Sequence, residues 1–69
     1  MTRPVGAPSL RPDASQRADA AAYVATLTTE LARVARSNAL PTLAYLLDMA
    51  RLEAETQARD AAQSCLERP

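Results

Sequence analysis

Ala20, Val24, Leu27, Leu31 and Val34 are separated alternately by four and three residues. That spacing gathers them into one stripe along an α-helix. Asp19, Thr26, Thr29, Glu30, Arg33 and Ser37 fall between them and give the helix a polar opposite face. Asp13 is placed to cap its start, and Gln16, three residues on, can reach back to the cap in a capping box. The stretch Ser37-Asn38-Ala39-Leu40-Pro41 ends it. Asn38 tolerates the left-handed backbone that terminates helices, while Pro41 disfavours helix at Leu40 and suits the first position of a new helix. The pattern predicts helices over residues 14–37 and 41–67, joined so tightly that they must be antiparallel neighbours.

Folding the chain about Ala39 sets Val34 near Leu43, Leu31 near Leu47, Leu27 near Ala50 and Val24 near Ala54, with Ala20 facing Gln57 and Ala58. Val24, Leu27, Leu31, Val34, Leu43, Leu47, Ala50 and Ala54 are therefore the expected hairpin core. Ala61 and Cys65 prolong its row on the second helix, and the alanine-rich open end is expected to fray first. The second helix carries a further apolar stripe. Tyr45, Met49 and Leu52 recur at i, i+4 and i+7 on nearly the opposite side, and with Leu46 they form the expected interaction face. Two apolar faces need two partners. The expected partner is a second copy, giving a homodimeric, antiparallel four-helix bundle. The alternative is a groove on a larger protein that receives the second helix.

Composition supports a helical reading. Sixteen alanines, with neither Trp nor Phe, favour helix over strand. A chain of 69 residues is one domain, and at that size a hydrophobic core is marginal without a disulfide, a metal or a partner. Pro4, Pro8 and Pro12 with Gly6, the only glycine, make residues 1–12 an expected mobile, extended arm. The expected architecture is thus all-α, a helical hairpin over residues 13–67 behind a flexible arm.

Charge and chemistry narrow the function. Eight arginines balance eight acids, so the chain lacks the basic field of a nucleic-acid binder. Arg33 and Arg36, joined by Arg3, Arg11 and Arg17, are too sparse for a phosphate site. With no histidine and one glycine, the usual general base, phosphate-cradling loop and cysteine–histidine pair are all missing. No enzyme activity, cofactor, metal or small-molecule substrate is expected. Asp48 and Arg51 are placed to pair with each other, and Arg51, Glu55 and Arg59 to form a ladder on the solvent side of the second helix. Asp48, Glu53, Glu55 and Asp60 read as solvated surface. Cys65, the single cysteine, excludes an internal disulfide and reads as a small buried apolar residue in a reducing, cytoplasmic protein. No segment has the roughly 20 apolar residues of a membrane span or the core of a signal peptide. The acidic bias of residues 48–69 also argues against a membrane-surface helix.

The run Leu43-Ala44-Tyr45-Leu46-Leu47-Asp48-Met49-Ala50-Arg51-Leu52-Glu53-Ala54, following a helix of the type Tyr23-Val24 to Leu31-Ala32, resembles short uncharacterised helical proteins of alphaproteobacteria. The resemblance spans residues 20–56. It implies a cytoplasmic bacterial protein and no particular activity.

Overall fold

A computed structural model describes residues 12–67 of the protein. They form two helices, α1 (Ala14–Ser37) and α2 (Pro41–Glu67), which pack against each other as a hairpin. No strand occurs among the described residues. Both helices have the boundaries their pattern predicts. The arm expected to be mobile lies outside the described residues except for Pro12.

The start of α1 is the capping box read from the sequence. The Gln16 amide donates to Asp13 Oδ1 at 2.8 Å, and the Asp13 amide donates to Gln16 Oε1 at 3.2 Å. Two amides that the first helical turn would leave without partners are thereby satisfied.

The end of α1 differs from expectation in one residue. Asn38 is the C-cap with φ −113°, and the left-handed position is Ala39, with φ 58°. The Leu40 amide donates to Ala35 O at 2.9 Å and the Ala39 amide to Arg36 O at 3.3 Å. This pair of bonds is a Schellman motif, whose left-handed residue is usually glycine. Asn38 instead donates its side-chain Nδ2 to Val34 O at 2.8 Å. Capping the last turn with its amide side chain holds Asn38 out of the left-handed region and passes the reversal to Ala39. The chain then enters α2 at Pro41, which has no amide to leave unpaired, and the Ala44 amide begins the helical ladder on Leu40 O at 2.9 Å.

The seam between the helices is not the expected one. The buried apolar residues are Ala32, Ala35, Ala44, Ala54 and Ala61, accompanied by Thr28. They belong to two rows with strict spacings of three and four: Ala18, Ala21, Ala25, Thr28, Ala32 and Ala35 on α1, and Ala44, Leu47, Arg51, Ala54, Ala58 and Ala61 on α2. Every member of both rows is buried or half-buried. Of the expected core, Ala54 is buried and Leu47 half-buried. Val24, Leu27, Leu31, Val34, Leu43 and Ala50 are exposed.

The physical reason is close approach. Two helices touch along one line, and small side chains let the backbones come together at the short end of the usual 8–10 Å. Dispersion contacts then accumulate along the whole length. The small-residue row runs unbroken along α1 and, with Leu47 and Arg51 as its larger members, continues along α2 to Ala61. The leucine row does not, because on α2 it passes from Leu43, Leu46 and Ala50 into Glu53 and Gln57. Thr28 fits this apolar line because its hydroxyl donates to Val24 O at 2.8 Å within its own helix.

The folding point holds even though the faces rotate. Ala14 and Cys65 line one small depression at the open end with Asp13 and Ser15. The same register sets Ala35 level with Ala44, Ala32 with Leu47 and Thr28 with Arg51, one step from the predicted pairing. Cys65 is exposed there, not buried as the sequence suggested. Its row reaches the end of α2, where α1 has no further turn to cover it.

Candidate protein-interaction surface

Three ion pairs form among the described residues, two of them on one polar edge of the hairpin. Arg36 pairs across the seam with Asp48, so the expected Asp48–Arg51 pair does not form. Arg51 pairs with Glu55 at 3.1 Å. The ladder stops there, because Arg59 turns to Thr56 Oγ1 at 3.4 Å. Arg51 lies in the seam row opposite Thr28, and its stem leaves it half-buried where a solvent-facing position was expected. Glu30 and Arg33 pair at 2.7 Å on the exposed side of α1. Asp48 and Glu55 are half-buried, whereas Glu53 and Asp60 are exposed as expected.

The opposite edge is apolar. At about 100° per residue, the Val24, Leu27, Leu31 and Val34 stripe stands roughly at a right angle to the alanine seam of α1. Leu43, Leu46 and Ala50 stand in the same relation to the seam of α2. The Arg36–Asp48 pair marks one edge of the seam, and both stripes rise on the other. They therefore form one continuous face. Its six large residues remain between 41% and 57% exposed. A shallow apolar depression of about 440 Å³, lined by Ala39, Leu40, Pro41, Thr42, Leu43 and Leu46, carries the face over the turn.

The residues expected to form an interaction face, Tyr45, Leu46, Met49 and Leu52, are all at least 50% exposed. The structure does not bring them together. Leu46 joins the leucine face, while Tyr45, Met49 and Leu52 point away from α1 on the outer side of α2. The leucine face is not evident in the sequence, because periodicity assigns most of its residues to the hairpin core. The signal that reveals it is the small-residue row from Ala18 to Ala35, which has the same three–four spacing and competes for the seam.

No helix among the described residues is long and apolar enough to cross a membrane. No protein-family model matches the chain, and neither a curated protein sequence nor a solved structure does.

Proposed function

We propose that this protein is a small, non-catalytic protein–protein interaction module that self-associates into an antiparallel four-helix arrangement, with a regulatory or adaptor role. The observation that carries this reading is an inverted core. Alanines fill the seam, no large side chain among the described residues is fully buried, and six aliphatic side chains share one half-exposed face. Covering what remains open of each contributes about 1 kcal/mol, or roughly 12 kcal/mol for a pair of copies. That is of the size needed to offset the roughly 4–15 kcal/mol lost on association. The absence of histidine and the single glycine support a binding role over catalysis. A lone exposed thiol suits a reducing cytoplasm.

Sedimentation equilibrium across the micromolar range tests the reading. A dimer that dissociates on dilution is expected, and a well-folded monomer throughout would refute it. A second reading rests on Tyr45, Met49 and Leu52, which stay exposed on the outer side of α2. In that case α2 docks into a groove on a larger protein, and Met49→Glu keeps full helicity while abolishing the complex.

A further inference from the structure

We infer that the second copy packs on the leucine face with the two-fold axis running along the hairpin, so that both turns lie at the same end and α1 of each copy faces α2 of the other. This rests on the self-association proposed above and specifies its surface and geometry.

Four observations point to a second copy in this orientation. First, each helix carries two three–four rows roughly at a right angle, one small and one large. A helix in a four-helix bundle has two neighbours in that disposition, and the hairpin supplies only one of them. Second, both large rows rise on the same side of the seam, so one flat partner covers them together, and their six large residues carry no charge that a second copy would repel.

Third, five of the six large residues of the face lie in the half of the hairpin near the turn, Val24 being the exception. Leu31, Val34, Leu43 and Leu46 lie there, while Arg17, Gln57, Asp60 and Ser64 take over towards the open end. With the turns together, Leu31 and Val34 come level with Leu46 and Ala50 of the other copy. With the turns apart and the helices fully overlapped, α2 lies on its own copy. Leu43 and Leu46 then meet the polar end, and the two Glu53 side chains approach each other near the axis. Like charges so placed oppose that arrangement. Fourth, turns together set Arg17 of one copy within about one helical turn of Asp60 of the other, so the polar halves are complementary as well. Tyr45 and Leu52 stay outside this contact.

The native Cys65 reads the geometry directly. It is exposed and sits at the open end. With the turns together, two spin labels on Cys65 are separated by about 15–25 Å, the diagonal of a four-helix bundle plus the labels. With the turns apart, they are about 35 Å apart, from the rise of α2 on either side of its midpoint. Pulsed dipolar spectroscopy on labelled full-length protein, with sedimentation equilibrium on the same sample, separates the outcomes. A dimer with the short distance supports the inference, and a dimer with the long distance overturns it while leaving self-association intact. A monomer overturns both.

Leu31→Glu is expected to raise the dimer dissociation constant at least about 100-fold, and an unchanged constant would rule out the leucine face. Tyr45→Glu is the control and leaves dimerisation unchanged. Because Leu31→Glu also risks the fold, charge reversal provides an independent readout. Arg17→Glu and Asp60→Arg each weaken the dimer about threefold, and together they restore it. Absence of rescue contradicts the proposed facing of α1 and α2.

Discussion

Ala32→Leu tests the alanine seam most directly. Ala32 is 1% exposed on the seam row of α1, and the register sets it level with Leu47 on α2. The substitution adds three carbons to a site with no room for them. Overpacking of a well-packed contact costs about 1–3 kcal/mol through displaced rotamers and shifted backbone. For a domain of this size each kcal/mol moves the melting temperature by about 4–8 °C, so a fall of roughly 4–24 °C is expected. The control is Ala22→Leu, at an exposed position of the same helix. Leucine and alanine have nearly equal helix propensity, and an exposed change stays within about 0.5 kcal/mol. Thermal unfolding followed by far-UV circular dichroism gives the comparison, with all variants at one protein concentration because association shifts the midpoint. If Ala32→Leu melts at or above Ala22→Leu, the helices are not in close contact along their alanines, and the leucine rows hold the hairpin together after all.

The turn and the caps yield further expectations. Ala39→Gly removes the cost of a left-handed non-glycine residue, at φ 58°, and should raise stability by about 1 kcal/mol, or roughly 4–8 °C in thermal unfolding. Asp13→Ala loses the cap of α1 and should cost about 1 kcal/mol in urea unfolding, whereas Asp13→Asn should retain most of it. The Arg36–Asp48 pair is partly solvated, its side chains being 55% and 30% exposed. A double-mutant cycle with alanine at both positions should give a coupling below about 1 kcal/mol that shrinks with added salt.

The helix boundaries were legible because they are set by local chemistry. Asp13 and Gln16 sit three residues apart, which is enough for the capping box, and Pro41 is compatible only with the first turn of a helix. The site was legible only in part. The sequence groups Leu46 with Tyr45, Met49 and Leu52, but Leu46 lies on the exposed leucine face and the other three face elsewhere. Hydrophobicity draws attention to leucine and valine, and the rows through Val24 and Leu43 have the right spacing for a seam. The alanine rows have the same spacing and a weaker signal.

What the sequence by itself determined is the pair of helices, their tight antiparallel connection and the residue about which they fold, since capping, proline geometry and loop length act within a few residues. Only the tertiary structure decided which of two equally periodic rows on each helix becomes the contact. A pair of helices gains most where their backbones approach most closely, and that favours the smaller side chains. The larger ones are left at the surface, on a single face across the two helices.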